Sequence, residues 1–162
     1  MMKLTKIVVL LITVLWMTPA LAQSATADKP ADNMQILRDK IKADKKLVVA
    51  TNMKLTESEA KGFWPVYEAY QKDLEKINKR VAAMIKDYAD AWNTKSMDNK
   101  KAKKLTSEFL AIQTAEAKQV QSYVPKLNKV LPATKVARYL QIENKIRTII
   151  KYDLAGQIPL VP

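Results

Sequence analysis

GFWPVYEAYQKDLEKINKRVAAMIKDYADAW, residues 62–92, decides the fold. Phe63, Tyr67, Tyr70, Leu74, Ile77, Val81, Met84, Tyr88 and Ala91 recur at alternating steps of four and three. A 3.5-residue period held this long makes a narrow apolar seam, which only another long helix can cover. Just upstream, Leu55-Thr56-Glu57-Ser58-Glu59 reads as a helix start, with Thr56 as N-cap and Glu59 at N3 completing a capping box. Pro65 inside the segment removes one backbone donor, which predicts a kink or a late helix start near Gly62. Trp64 and Trp92 lie off the seam.

Downstream, Asn93 to Asn99 is a polar turn, and a further helix is expected from about Lys100 to Leu131. Leu105, Phe109 and Ile112 carry its seam and Val120, Val124, Leu127 and Leu131 resume it. Glu116 falls between the two runs and reads as a stutter where the register shifts. Pro125 is a second interior proline and a second expected kink. After Pro132 a last helix is expected from Ala133 to Ala155, with the stripe Val136, Tyr139, Leu140, Ile142, Ile146, Ile149, Ile150 and Leu154. Gly156 would then serve as its C′ residue, and Pro159 forbids continuation. The tail Ile158-Pro159-Leu160-Val161-Pro162 either packs back on a helix or stays loose for docking, and packing is the favoured reading.

Upstream, Met34, Leu37, Ile41 and Val48 form one more helical stripe, ending near Thr51-Asn52. With two glycines in the chain and no sustained two-residue alternation, the reading is all-α: an elongated hairpin or bundle of about four helices with long, kinked central helices. Residues 34–162 make one helical domain, preceded by a small, polar, proline-bearing leader at 23–33 that reads as disordered.

Residues 1–22 read as a cleavable export signal. Lys3 and Lys6 give a positive start, Ile7 through Met17 an apolar run, and Ala20-Leu21-Ala22 a small-x-small cleavage site. Eleven apolar residues reach only about 16 Å, roughly half a hydrocarbon core. Cleavage after Ala22 leaves 140 of the 162 residues, and the expected location is the periplasm. With no cysteine, no disulfide holds the exported chain together.

Composition excludes much chemistry. Neither histidine nor cysteine is present, so zinc and haem lose their usual ligands and Ser-His or Cys-His nucleophilic catalysis is impossible. The seven methionines lack metal-binding spacing and read as core, and two distant glycines cannot form a phosphate-cradling loop. The carboxylate pairs Glu57/Glu59 and Asp87/Asp90 read as capping and solvated charge. The expectation is a non-enzyme with no cofactor and no metal.

The net charge of +12 falls to +10 without Lys3 and Lys6, and it is unevenly spread. Residues 23–94 carry 13 basic against 11 acidic side chains, a net of +2; residues 95–162 carry 13 against 5, a net of +8. Lys100, Lys101, Lys103, Lys104, Lys126, Lys129, Lys135, Arg138, Lys145, Arg147 and Lys151 dominate the second half, opposite its apolar stripes. Such a surface attracts anions. Export argues against nucleic acid, leaving anionic lipids, acidic protein domains and unfolded envelope proteins as partners.

The layout resembles the Spy/CpxP-like exported helical proteins, marked by paired L-T-x-x-Q motifs at helix starts. Leu55-Thr56-Glu57-Ser58-Glu59 matches the first motif, with Glu59 where the family has glutamine; at Leu131-Pro132-Ala133-Thr134-Lys135 only the leucine of the second matches. Gly62-Phe63-Trp64-Pro65-Val66-Tyr67 and the block from Val136 to Lys145 look like those of exported proteobacterial proteins. The resemblance implies ATP-independent chaperone or envelope-stress adaptor work. The basic surface at Lys126, Lys129, Lys135 and Arg138 and the off-seam Trp64 and Trp92 are then the candidate partner contacts. The other readings are a peripheral protein on an anionic membrane surface and a structural protein assembled by its seams. The seam itself can be satisfied within one chain or across a homodimer.

Overall fold

The computed structural model describes residues 44–161. Within them the chain is all-α: α1 (Lys45–Met53), α2 (Glu57–Asn93), α3 (Asn99–Asn128) and α4 (Ala133–Ala155). The export signal, the polar leader and the apolar positions Met34, Leu37 and Ile41 lie outside the described residues.

Side chains fix the helix starts. The Asp44 carboxylate accepts from the Leu47 amide at 2.9 Å, which starts α1 at Lys45. The expected capping box is formed: Thr56 Oγ1 accepts from the Glu59 amide and Glu59 Oε2 from the Thr56 amide. That box begins α2 at Glu57, not near Gly62, and Pro65 sits inside a continuous helix. Asp98 caps α3 by accepting from the Lys101 amide at 2.7 Å. α3 ends at Asn128, before Leu131, whose amide closes a turn onto the Leu127 carbonyl. Gly156 follows α4 with φ −69°, so the left-handed freedom of glycine is not used there. Gly62 is needed for another reason: an added Cβ would come within 3.0 Å of Val130 Cβ, where α2 crosses the turn into α4.

α2 and α3 form an antiparallel hairpin, registered by Tyr123 with Asp73, Arg80 with Glu108 and Lys101 with Asp87. α4 returns antiparallel to α3 and therefore parallel to α2, pairing Glu59 with Lys135 near its start and Gln71 with Glu143 further on. α1 runs antiparallel beside the first turns of α2 and α4, its start at Gln71 and Glu143 and the residue after its end at Lys135. At 9 residues it spans about 14 Å, whereas the 37 residues of α2 span about 56 Å. The hairpin therefore outruns the helix that covers it.

The seam read from the sequence changes character along α2. Phe63, Tyr67, Tyr70, Leu74 and Ile77 are buried, whereas Val81, Met84 and Tyr88 are half-buried. The buried part is aromatic. The Tyr139 ring sits edge-on to Phe63 (5.1 Å between centroids), Tyr67 (6.1 Å) and Tyr70 (5.9 Å), and Tyr70 meets Tyr123 at 5.2 Å. Edge-to-face contacts at these distances are the favoured geometry for aromatic rings.

This core predicts an alkaline limit on stability. Burial first, then the Glu143 charge, pushes Tyr67 up to about 12. Burial first, then the hydrogen bond to Asp73, pushes Tyr123 up to about 12. Tyr70 and Tyr139 are raised too, chiefly by burial. Because the folded values are raised, the stability is fully present below pH 10, where unfolded tyrosine begins to ionise, and is lost as pH rises through the folded values. The tyrosinate absorbance of these four buried rings should therefore rise late and steeply, with the loss of helical circular dichroism, above about pH 11. A gradual titration centred at pH 10 with the helix intact would contradict this core.

Candidate functional site

The short reach of α1 leaves a groove between the distal parts of α2 and α4. Its volume is about 440 Å³, and Leu74, Val81, Ile85, Ile146, Ile150 and Leu154 supply its apolar walls. Its base is charged. Glu143 is 4% exposed, and its carboxylate accepts from Lys45 Nζ at 2.8 Å and from Gln71 Nε2 at 2.9 Å. Gln71 Oε1 in turn accepts from Lys45 Nζ at 2.8 Å, closing the triangle. Beside it, Glu116 takes Lys151 Nζ at 2.6 Å and an Arg147 nitrogen at 3.8 Å, while Arg147 also donates to the Tyr70 hydroxyl at 2.8 Å. A buried carboxylate is tolerable only with such partners.

Two expectations are corrected here. Glu116 is not a stutter: Ile112, Glu116, Gln119, Tyr123 and Leu127 form one continuous buried face of α3. Phe109 is largely exposed. On α4, Glu143 occupies the core stripe between Tyr139 and Ile146, and Ile150 is exposed instead. In both places the sequence already had the residue at helical spacing. The signal was its position, and the polar side chain masked it.

The six candidate partner contacts separate into different environments. Lys135 is committed to structure: its ammonium is bound to Glu59 and also donates to the Lys54 carbonyl at 3.2 Å. That ion pair holds Glu59 below the usual carboxylate range. Lys126 is exposed, with its Nζ over the Tyr123 ring, 4.0 Å from the centroid. Lys129 is exposed at the end of α3. Arg138 is exposed on α4 beside Lys145 and the end of α1, away from Lys126 and Lys129. Trp64 is half-buried, edge-on to Tyr67 at 5.3 Å, with Lys46 Nζ 5.1 Å over its ring. Trp92 is 37% exposed and stacks on Tyr88 at 6.2 Å near the hairpin tip.

The basic half of the chain is thus less uniformly basic at its surface than the charge count implies. Lys101 and Lys104 share Asp87, Arg147 and Lys151 share Glu116, and Lys135 holds Glu59. The tail packs back through its first residues: Tyr88 donates to the Pro159 carbonyl at 2.8 Å and Ile158 is half-buried, while Leu160 is 89% exposed.

These features define an all-α bundle whose long hairpin extends past its covering helices, with a charged pocket floor and apolar walls. No family model, curated protein or solved structure matches the chain. Among the described residues, no helix is long and apolar enough to cross a membrane, and no group of three histidine, cysteine, aspartate or glutamate side chains is placed to hold a metal.

Proposed function

We propose that this is an exported, ATP-independent binding protein that holds unfolded or acidic segments of other envelope proteins. One observation carries the reading. Phe109, Leu110, Trp92, Ile150, Leu160 and Val161, large apolar side chains left exposed, belong to the distal hairpin, the end of α4 and the tail, where α1 does not reach. Exposed apolar surface next to positive charge suits a client that is both unfolded and acidic. Lys100 and Lys103 at the distal start of α3, and Lys126 and Lys129 at its other end, are exposed and form no ion pair among the described residues. They supply the attraction.

The purified protein should suppress aggregation of a denatured acidic client without ATP, and the suppression should weaken as salt rises. Changing Lys126, Lys129 and Arg138 together to Glu should weaken client binding several-fold; because all three are exposed, the melting midpoint should fall only by what Lys126 loses over the Tyr123 ring, which Lys126→Glu alone measures. Lys135 is kept, since its ion pair is structural. Absence of suppression at stoichiometric protein would sink the proposal. Co-sedimentation with anionic vesicles in place of client binding would give the role to a membrane surface.

A further inference from the structure

Where helices face one another in this bundle, cations meet carboxylates: Lys45 with Glu143, Lys135 with Glu59, Arg147 and Lys151 with Glu116, Arg80 with Glu108. The crease between the end of α1 and the middle of α4 breaks that pattern. It is a hollow of about 360 Å³ lined by Lys54, Arg138 and Lys145 with Thr51, Asn52 and Gln141, and no acidic side chain lines it. None of the three cations has a carboxylate partner among the described residues.

The backbone gives an independent observation. Lys54 sits at φ 46°, ψ 55°, the left-handed region. Glycine and asparagine enter that region readily, and a lysine does so at a cost. Its carbonyl is also held by Lys135 Nζ at 3.2 Å. The Lys54 side chain is therefore launched toward the crease from a fixed, strained backbone. On the other wall, Arg138 and Lys145 are two turns apart on α4 and share a face with Gln141. The end of α1 offers the crease a negative field of about half a unit charge from its unsatisfied carbonyls. Three whole positive charges exceed it severalfold.

We propose that this crease binds a phosphate group. A monovalent carboxylate would answer one of the three cations. A tetrahedral oxyanion of higher charge can meet the Arg138 fork and both ammonium groups at once, with the Thr51 hydroxyl and the Gln141 amide as further donors. The group belongs to a soluble phosphate or a phospholipid headgroup, which offer the same chemistry. The inference shares only Arg138 with the surface tested for client holding; Lys54 and Lys145 are untouched by those substitutions, so the two readings fail separately.

The test is thermal melting of the purified protein in inorganic phosphate against sodium chloride at matched ionic strength. Phosphate should raise the midpoint by several degrees more than chloride and saturate, as expected for a ligand of the folded state. Lys54→Asn should keep or raise the midpoint in chloride, because asparagine accepts the left-handed backbone, yet weaken phosphate binding about tenfold. Lys145→Gln should weaken it likewise. Equal responses to phosphate and chloride mean charge screening alone and overturn the proposal, as does a phosphate increment that survives both substitutions. Vesicles of phosphatidylglycerol and of phosphatidylcholine then separate the sources. Binding to phosphatidylglycerol that Lys54→Asn abolishes assigns the group to a headgroup. A phosphate response without vesicle binding assigns it to a soluble phosphate.

Discussion

Tyr139→Ala should cost about 3–5 kcal/mol of stability, the largest effect expected of any single side chain in this bundle. Tyr139 is fully buried and its ring touches Phe63, Tyr67 and Tyr70, three consecutive seam residues of α2. Truncation removes the knob that locks α4 onto the hairpin and leaves a cavity that aromatic neighbours on rigid helices cannot fill. Urea denaturation should show the loss, with a melting midpoint lower by roughly 10 °C or more. Tyr139→Phe separates packing from hydrogen bonding. The hydroxyl accepts a long bond from Gln71 Nε2, at 3.4 Å, and donates to the Glu143 carboxylate, so its loss should cost about 1–2 kcal/mol, well short of losing the ring. If the two variants fall equally, the hydroxyl matters more than the ring and the aromatic account of the core fails.

Glu143→Ala should be the next most damaging change, at about 3 kcal/mol. It strips Lys45 of its counter-charge and Gln71 of an acceptor. The low end of the range for a broken buried pair applies because Lys45 is 24% exposed and can turn toward water. The double replacement Lys45→Met with Glu143→Leu should recover part of this loss, since it removes the unpaired charge, and adding Gln71→Leu should bring stability to within about 1 kcal/mol of the parent, because no member of the triangle is then left without partners. A double-mutant cycle reads the coupling directly. Simple additivity would show that the two charges do not depend on one another.

Local chemistry made most of the fold legible in the sequence. The capping box at Thr56 and Glu59, the polar turn before α3 and the span of α4 all follow from residues within a few positions of each other. The seam of α2 was also correctly placed through Ile77. What escaped were features made by residues far apart. Glu116 looked like a fault in the pattern because its partners are Arg147 and Lys151, the latter 35 positions away. Glu143 was passed over because its cation is Lys45, 98 positions away. For the basic surface, counting charges found Arg138 but could not show that Lys135 is bound to Glu59 or that Lys54 stands at the crease with it. The left-handed backbone of Lys54 has no signature in the residue itself, since lysine is an unfavoured occupant of that conformation.

The pairing of Lys45 with Glu143 also sets an order of events. A polypeptide is made from its N-terminus, so α1 emerges first and its electrostatic partner nearly last. The hairpin of α2 and α3 can close through contacts between neighbouring elements, and Lys45 can already reach Gln71 on α2, but its counter-charge is missing until α4 arrives. Closure of the base is therefore a C-terminal event with a high loop-closure cost, and it acts as a completeness check on the chain. A product truncated before Glu143 would keep α1, α2 and α3 but only the first turns of α4, and would present an open aromatic floor, the kind of surface that proteases and aggregation find first.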